Sequence, residues 1–405
     1  MRLLHTTTLT LHTFVEPSQA PKYAILSHTW TDDEVIFEDI ATPERGVEVV
    51  RNKRGFAKVR GSCAMAVAQG IDYIWIDTLC IDKSSSAELS EAINSMFEWY
   101  ALSSVCFAYV ADLDWLKPTS TYDGVYDRFL ASRWFTRGWT LQELIAPSVV
   151  EFYDKSWKPI GDRRRLAEPI STKTGIYRGL LSRQHLLPQV NHDSLRQELS
   201  SICIAAKMSW LSHRQTTRRE DMAYCMLGIF DLNMPLLYGE GNKAFIRLQE
   251  EIVRNSFDSS ILAWNAPDQG HLPIGRWDTI LSPSPALFRE SAHVQPLRGQ
   301  PRFADGNATP YGLNLNVLLC PTLEPMRGRG GLKSGLEAAL LREAPESLAA
   351  AENGGISLFL AILDCCMEGN FTKRIAILMY RHKDHEDREA HANRAVPPAF
   401  LFVAF

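Results

Sequence analysis

Apolar strand-like runs alternate with amphipathic helical segments along the first part of the chain. Runs rich in β-forming residues predict strands at residues 23–27, 73–76, 105–110 and 149–154. Between them, apolar residues recur at helical spacing in residues 55–69 and 86–100. Alternation of strands and helices is typical of a doubly wound α/β domain with a parallel sheet. We therefore expect an α/β fold.

The segment SRWFTRGWTLQEL, residues 132–144, predicts a single short helix just before the last of these strands. Ser132 can cap its first turn, and Pro147 follows its end. On a helical wheel the buried stripe consists of Trp134, Gly138, Leu141 and Ile145. Glu143 and, one turn before it, Trp139 fall on the opposite, non-core face. Two interpretations stay open: a solvated glutamate beside a packed tryptophan, or a functional carboxylate beside an aromatic ring.

Polar side chains follow two of the predicted strands directly. They are Ser27, His28 and Trp30 after the first strand, and Asp77, Cys80 and Asp82 after the second. Open α/β sheets bind ligands at the carboxyl ends of their strands, so all of these residues are candidate binding residues. Asp77 either orients a ribose hydroxyl or caps the next turn. Ser27 and His28 either line a pocket or satisfy backbone groups of a turn.

The sequence lacks the common nucleotide and hydrolase motifs. No G-x-G-x-x-G, G-x-x-x-x-G-K-[ST] or G-x-S-x-G pattern occurs. The GEGNK stretch at residues 239–243 favours a plain turn before a helix over a phosphate loop. His382, His385 and His391 are loosely spaced among charged residues, which favours a solvated loop over a metal site. We expect no bound metal.

Composition excludes several classes of protein. A length of 405 residues indicates about two or three domains, and the net charge of -4 gives no basic footprint for nucleic acid. No apolar run approaches the ~20 residues that span a bilayer, and the first residues, MRLLHTTTLTLHTF, lack a secretory signal. The 8 cysteines form no C-x-x-C pair, as expected for reduced thiols. We expect a cytoplasmic protein.

The pattern of the sequence changes towards the C-terminus. Residues 160–262 are mostly helical in pattern, whereas Gly and Pro become frequent from about Ser282. The runs LNLNVLL, SLFLAIL and RIAILMY predict a β-rich domain in the form of a sandwich. The final run, residues 399–405, indicates either a strand inserted in that sheet or a chain cut short. We expect an α/β core at 21–155, a helical extension at 160–262 and a β-rich accessory domain at 263–405.

Three blocks of the sequence resemble one known family. YAILSHTW, GIDYIWIDTLCIDK and SRWFTRGWTLQELIAP are similar to the hallmark blocks of the fungal heterokaryon-incompatibility (HET) domain. Residues 208–252 are also very similar to that family, so the resemblance spans about residues 21–262. Lys83 is a departure, because Gln is the commoner family residue at that position. The resemblance implies that residues 1–262 form a HET domain.

HET domains in turn resemble TIR domains, whose sheets are flavodoxin-like. Several TIR domains hydrolyse NAD with a glutamate on the helix after the third strand, and a Trp often stands one turn earlier. Here that pattern falls on Trp139 and Glu143. The resemblance therefore implies a flavodoxin/TIR-like sheet and a catalytic Glu143. It also makes NAD a substrate rather than a cofactor, and the residues expected to bind it are Ser27, His28, Trp30, Asp77, Cys80, Asp82 and Trp139.

Two functions from different classes agree with this resemblance. The first is a heterokaryon-incompatibility cell-death effector that cleaves NAD to nicotinamide and an ADP-ribose product through Glu143. A carboxylate can stabilise a ribosyl cation-like transition state, and an indole can stack on a ring and exclude water. The alternative is a non-enzymatic TIR-like module whose assembly is the signal in fungal self/non-self recognition, a form of innate immunity. The expected partners are further copies of the HET domain and an upstream sensor protein.

Overall fold

The chain divides into two compact units. The computed structural model describes residues 1–41, 47–115, 123–183, 188–255, 258–265, 281–297, 304–309, 312–321, 356–369, 373–382, 393–394 and 401–404. One unit comprises Met1–Ser201 and Arg214–Gly241, and the other comprises Ile202–His213 and Asn242–Phe405. The second unit thus begins earlier than the expected boundary at 262/263. It also takes up a short segment from within the expected helical extension.

Helices and strands occur throughout the described residues. The helices are α1 Phe37–Ala41, α2 Val47–Asn52, α3 Phe56–Ala68, α4 Asp77–Cys80, α5 Ser86–Leu102, α6 Asp123–Leu130, α7 Arg133–Thr136, α8 Thr140–Ile145, α9 Ala167–Thr174, α10 Arg178–Ser182, α11 Pro188–Ser201, α12 Ile204–Ser209, α13 Asp221–Tyr224, α14 Leu227–Phe230 and α15 Lys243–Asn255. The strands are β1 Arg2–His5, β2 Leu11–Thr13, β3 Tyr23–His28, β4 Tyr73–Trp75, β5 Val105–Val110, β6 Val150–Asp154, β7 Pro159–Asp162, β8 Val294–Pro296, β9 Ala304–Thr309, β10 Gly312–Pro321, β11 Ile356–Ile362, β12 Cys365–Met367, β13 Lys373–His382, β14 Asn393–Arg394 and β15 Leu401–Ala404. No described helix is long and apolar enough to cross a membrane.

A seven-stranded mixed sheet forms the centre of the first unit, in the order β2-β1-β4-β3-β5-β6-β7. Strands β4, β3, β5 and β6 are parallel, and in chain order they stand 2-1-3-4, as in flavodoxin-like doubly wound sheets. Every residue of β3 and of β5 is buried, as expected for parallel strands that are covered on both faces. The α/β class is confirmed.

The edges of this sheet correct the expectation of a wholly parallel sheet. Strands β1 and β2 pair antiparallel beside β4, and β7 pairs antiparallel with β6. The connections β1–β2 and β6–β7 are short turns, and a short turn can join only antiparallel neighbours, because a parallel pair needs a long crossover. The likeness to TIR domains in particular stays a prediction.

The expected single helix at residues 132–145 is wrong, because α7 and α8 are separate. The backbone between them pairs with a distant segment: Gly138 N donates to Gln215 O at 2.8 Å, and Gln215 N donates to Thr136 O at 2.6 Å. A Cβ atom at Gly138 would lie 2.5 Å from the Thr216 side chain, so only glycine permits this approach.

The described strands of the second unit form antiparallel sheets. The larger sheet has the order β14-β13-β11-β10-β9, with β15 paired to β13, and β12 pairs with β8. Strands β10, β11 and β13 coincide with the three apolar runs that the sequence singled out. The sandwich arrangement stays a prediction, and His385 and His391 lie outside the described residues.

Helix α15 explains why the second unit begins before residue 263. Its buried face consists of Ala244, Phe245, Leu248, Gln249, Ile252 and Val253. The Gln249 amide donates to Ser282 O at 2.8 Å and accepts from Ser282 N at 3.0 Å. This amphipathic helix therefore packs within the second unit and is not the last helix of the first.

Candidate functional site

A cavity of about 450 Å³ lies in the first unit, beyond the carboxyl ends of β3 and β4. This volume is within the range of roughly 300–1,000 Å³ that small-molecule sites occupy. The cavity lies near the point where the strand order reverses between β3 and β5, which is where open α/β sheets bind ligands. Its charged and aromatic wall residues are Trp30, Asp77, Lys83, Arg133, Arg137, Trp139, Glu143, Arg218, Asp221 and Tyr238.

Glu143 lines this cavity but is only 6% exposed. Every residue of α8 is buried, so the expectation of a non-core face on this helix is wrong. The Ser27 hydroxyl donates to Glu143 Oε2 at 2.5 Å, and the Trp134 indole N–H donates to Ser27 Oγ at 2.8 Å. The carboxylate is thus held from strand β3 by a neutral hydroxyl, and the interpretation as a solvated surface glutamate is excluded.

Burial raises the pKa of the Glu143 carboxyl to about 7. The hydrogen bond from Ser27 opposes this rise, the negative charge of Asp77 adds to it, and the positive charge of Arg137 opposes it. Glu143 therefore changes protonation near neutral pH. A bound cation would favour its charged form, and pKa values matched to neutral pH are typical of functional carboxylates.

The environment of Asp77 shifts its pKa in the opposite direction from that of Glu143. His28 Nε2 lies 2.9 Å from Asp77 Oδ1, and the Trp30 indole N–H donates to Asp77 Oδ2 at 2.8 Å. Burial alone would raise the pKa of Asp77, but the hydrogen bond from His28 and the charges of Lys83 and Arg137 hold it well below its usual range. Asp77 thus stays ionised, and both of its oxygens serve neighbouring side chains. Its predicted contact with a ribose hydroxyl stays a prediction.

A buried lysine contacts the ring nitrogen of His28 that does not face Asp77. Lys58 on α3 has its Nζ 3.4 Å from His28 Nδ1 and 3.0 Å from Thr29 O, and it also forms an ion pair with Glu34. Because an ammonium group only donates, Nδ1 faces it as an acceptor and Nε2 carries the hydrogen towards Asp77. Sequence reasoning assigned no role to Lys58. The available signal was a single lysine beside apolar residues on α3.

Trp30 has an aromatic ring in contact with two cations. Lys83 Nζ lies 3.5 Å from the ring centroid, and the guanidinium carbon of Arg137 lies 4.9 Å from it. Both distances are within the roughly 6 Å at which a cation is attracted to an aromatic face. Trp30 is 38% exposed, so the ring lies at the boundary between cavity and solvent. From the sequence, Arg137 was considered only as a structural partner of Glu143, because its position beside Trp30 depends on the break between α7 and α8.

Trp139 lies on another part of the wall. Its indole N–H donates to Asp221 Oδ2 at 3.2 Å, and the Tyr238 hydroxyl donates to Asp221 Oδ1 at 3.0 Å. Burial raises the pKa of Asp221 despite these two hydrogen bonds. The segment that carries Asp221 and Tyr238 therefore positions the indole that the sequence predicted to stack on a ligand.

The glycine-rich stretch at 239–243 binds the side-chain carboxylate of Glu220. Glu220 Oε1 accepts from Gly239 N at 2.8 Å and from Gly241 N at 2.9 Å. Gly239 has φ +106, which only glycine adopts readily. The backbone N–H groups of this turn thus bind a carboxylate of the same unit, in agreement with a plain turn and not with a phosphate loop.

Cys80 and Asp82 are not brought to the cavity wall. Cys80 is buried with its Sγ 3.4 Å from Ile76 N, and burial raises the pKa of its thiol to about 12. The Asp82 carboxylate accepts from the backbone N–H and the hydroxyl of Ser84, at 2.9 and 2.6 Å. Ser27 and His28 reach the cavity only through Glu143 and Asp77. Among the described residues, no group of His, Cys, Asp and Glu is placed to hold a metal ion.

A buried arginine fixes the end of the helix that carries Glu143. Arg163 is 2% exposed and donates to the carbonyl oxygens of Leu144, Pro147 and Ser148 at 2.7, 2.9 and 3.1 Å. The carbonyl group of Leu144 lies at the end of α8, where a helix leaves its acceptors unpaired, and the other two follow the helix. Burial lowers the pKa of the Arg163 guanidinium to about 9. Sequence reasoning missed this residue, because its partners are all backbone atoms.

Fold and cavity together define an α/β protein with a cavity of ligand size beyond the carboxyl ends of its parallel strands. The model of the family described as "Heterokaryon incompatibility protein (HET)" matches residues 23–122, and a "Domain of unknown function (DUF8212)" matches residues 243–293. Residues 23–122 are thus similar to the HET domain, in agreement with the resemblance of the sequence blocks. The HET match includes Trp30 and Asp77 and ends before Glu143, and the second match begins where α15 begins.

One curated relative extends this similarity beyond the matched domain. The vegetative incompatibility protein HET-E-1 of Podospora anserina is 43% identical over 238 residues. The aligned part is 58% of this chain and 16% of that protein, so the chain spans only a small part of its relative. No solved structure matches the chain significantly.

Proposed function

We propose that this protein acts in heterokaryon incompatibility as a cell-death effector, and that its first unit cleaves NAD through Glu143. The observation that carries this proposal is a buried carboxylate on the wall of a ligand-sized cavity, held by Ser27 and without an ion pair to any cation among the described residues. A structural glutamate at this position would form an ion pair with Arg133 or Arg137. The hydrogen bond from Ser27 leaves the negative charge available to a ligand.

The proposed reaction needs little from the protein besides electrostatics. The bond between the ribose C1′ and the pyridinium nitrogen of NAD breaks, and its electron pair leaves with neutral nicotinamide. Water adds to C1′, which gives ADP-ribose and one released proton. The ionised Glu143 carboxylate stabilises the positive charge that develops on the ribosyl ring. Since nicotinamide leaves as a neutral molecule, no general acid is required.

Other residues of the cavity supply binding. Trp30 and Trp139 give aromatic surface for the rings of NAD, and Arg133 and Arg218 give positive charge for its phosphates. Asp77 is ionised and can accept hydrogen bonds from ribose hydroxyls. Ser27 acts through Glu143 and is therefore a positioning residue.

The role of the whole protein rests on its relatives. The name of HET-E-1 assigns that protein to vegetative incompatibility, and this chain is 43% identical to it over 238 residues. We propose that this chain has the same role and that its HET domain self-associates. Signalling by assembly without catalysis is the competing function. It predicts that the activity of the protein in cells does not depend on the charge of Glu143.

The test is release of nicotinamide from NAD by the purified 405-residue protein, measured over a range of protein concentrations. Glu143→Gln keeps the size of the side chain and should lower the rate by about 10²–10³-fold. Glu91→Gln on the exposed surface of α5 is the matched control and should leave the rate unchanged. A Glu143→Gln protein that releases nicotinamide at the normal rate would refute the assignment.

A further inference from the structure

The ring of Trp30 is oriented by a carboxylate and covered by positive charge. Its indole N–H donates to Asp77 at 2.8 Å, which fixes the edge of the ring. Lys83 Nζ then lies 3.5 Å from the ring centroid, a distance of direct contact with the face. The face of an aromatic ring carries negative potential, and an anion at the indole N–H strengthens it. This part of the cavity therefore attracts cations.

We propose that the face of Trp30 is a subsite for an organic cation, above all a planar pyridinium ring, and that Lys83 occupies this subsite in competition with the ligand. The inference rests on the proposed function only for the identity of the cation, which would be the nicotinamide end of NAD. The subsite selects for positive charge. It distinguishes an oxidised, cationic pyridinium from the uncharged reduced ring of the same shape.

The charge of Asp77 is what makes this selection possible. His28 and Trp30 supply hydrogens to its two oxygens, and neither Lys83 nor Arg137 contacts the carboxylate in an ion pair within the described residues. The depressed pKa of Asp77 keeps it ionised throughout the physiological range. A cation on the Trp30 ring thus gains from the aromatic face and from a nearby negative charge, whereas a neutral ring gains only contact area.

The two cations on Trp30 differ in how firmly they are held. Arg137 lies between α7 and α8, where the backbone pairs with Gln215 and where Arg214 donates to the Arg137 carbonyl oxygen at 2.8 Å. Lys83 lies exposed on the turn between α4 and α5, at the end of a flexible four-carbon side chain. A ligand would therefore displace Lys83 and leave Arg137 in place.

Calorimetric titration of the 405-residue protein tests the subsite by binding alone, without NAD cleavage. The two probes are 1-methylnicotinamide, a permanent cation, and nicotinamide, its neutral analogue. The wild-type protein should bind the cation more tightly than the neutral analogue. Lys83→Gln should raise the affinity for the cation by about 2–5-fold and leave that for nicotinamide unchanged, since it removes a competing cation–π contact. Lys155→Gln, at an exposed lysine paired with Asp114, is the matched control and should change neither affinity.

Changes of Trp30 itself complete the test. Trp30→Leu should abolish the preference for the cation, whereas Trp30→Phe should retain part of it, because an aromatic face remains. Equal affinities for the two probes, or an unchanged or weaker cation affinity in Lys83→Gln, would overturn the proposal. If Trp30→Leu does not fold, the Lys83 titration decides alone. If the protein prefers the cation but does not cleave NAD, only the proposed function is refuted. If it cleaves NAD but does not prefer the cation, only the proposed subsite is refuted.

Discussion

Two carboxylates of one cavity, Glu143 and Asp77, have opposite electrostatic environments. Glu143 receives a hydrogen bond from the hydroxyl of Ser27, and burial raises its pKa to about 7. Asp77 receives N–H groups from His28 and Trp30, and nearby positive charges hold its pKa well below its usual range. Pairs of acids with diverging pKa values commonly divide the tasks of a site between them.

The comparison shows that folding stabilises the negative charge of Asp77 and destabilises that of Glu143. The ionised form of Asp77 is favoured by folding, so Asp77 belongs to the stable framework of the cavity. The ionised form of Glu143 is disfavoured by folding, so its charge costs stability that only a ligand can return. On this ground we assign binding and orientation to the Asp77 part of the cavity and charge stabilisation to the Glu143 part.

The largest effect on stability is expected at Asp77. Asp77→Asn keeps the shape but removes the charge that accepts hydrogen bonds from His28 and Trp30. At roughly 1.5–3 kcal/mol for each hydrogen bond to a charged group, the free energy of unfolding at pH 7 should fall by about 3–5 kcal/mol. Because the folded pKa of Asp77 is depressed, its contribution is present above the unfolded pKa and is lost as the pH falls through the folded pKa. Urea denaturation at pH 7 measures the change. A loss below about 0.5 kcal/mol would mean that the network contributes nothing.

The opposite sign is expected at Glu143. Its folded pKa of about 7 lies above its ordinary value of 4.5, so the folded state binds more protons between these values and stability falls as the pH rises through them. At ~1.4 kcal/mol per pKa unit, the charge costs about 3 kcal/mol at pH 8. Glu143→Gln should recover up to that amount at pH 8 and almost nothing at pH 4. Equal unfolding curves of mutant and wild type at pH 8 would contradict this expectation.

The pH dependence of nicotinamide release should follow the ionisation of Glu143. The charged carboxylate is the active form, so the rate should rise about tenfold per pH unit below pH 7 and level off above it. Wild-type protein in buffers of constant ionic strength provides the profile. A rate that stays constant between pH 5.5 and about 7.5 would show that the reaction does not depend on the ionisation of Glu143.

The smallest effect is expected at Ser27. Its hydrogen bond lowers the pKa of Glu143, so Ser27→Ala should move the rising part of the activity profile to higher pH. The rate at pH 7 should then fall by about 2–5-fold, while the rate at pH 9 should be nearly normal. Ser27→Thr retains the hydroxyl and is the matched control. A loss of rate that is uniform over pH would indicate misplacement of the carboxylate instead of a change in its ionisation.

Much of the fold could be predicted, because the relevant signals are local. Continuous apolar runs predicted β3 and β5, and a buried parallel strand needs no information from distant residues. The polar residues after β3 and β4 predicted the edge of the sheet where the cavity lies, and Trp30, Asp77, Trp139 and Glu143 all line it.

What the sequence did not reveal depends on distant partners. The break between α7 and α8 is made by Gln215, which follows the break by many residues in the chain. Glu143 was assigned to a non-core face because the wheel assumed one continuous helix. Lys58 and Arg163 are buried charges whose partners are backbone oxygens or distant side chains, and a sequence pattern cannot identify such partners. The compact units divide the chain at positions other than 262/263 for the same reason, since α15 is tied to Ser282.

Two neighbouring acids, Glu220 and Asp221, hold three parts of one turn: Tyr238, Gly239 and Gly241. The consequence is thermodynamic. The wall that carries Tyr238 and Trp139 is already ordered by bonds within the protein, so a ligand that contacts it loses little affinity to conformational entropy. The exposed Lys83 side chain differs, because a long side chain has rotamer freedom to lose when it is ordered. Mutations that loosen the turn at 239–241 should therefore weaken ligand binding through its entropy, with the enthalpy of the contacts largely preserved.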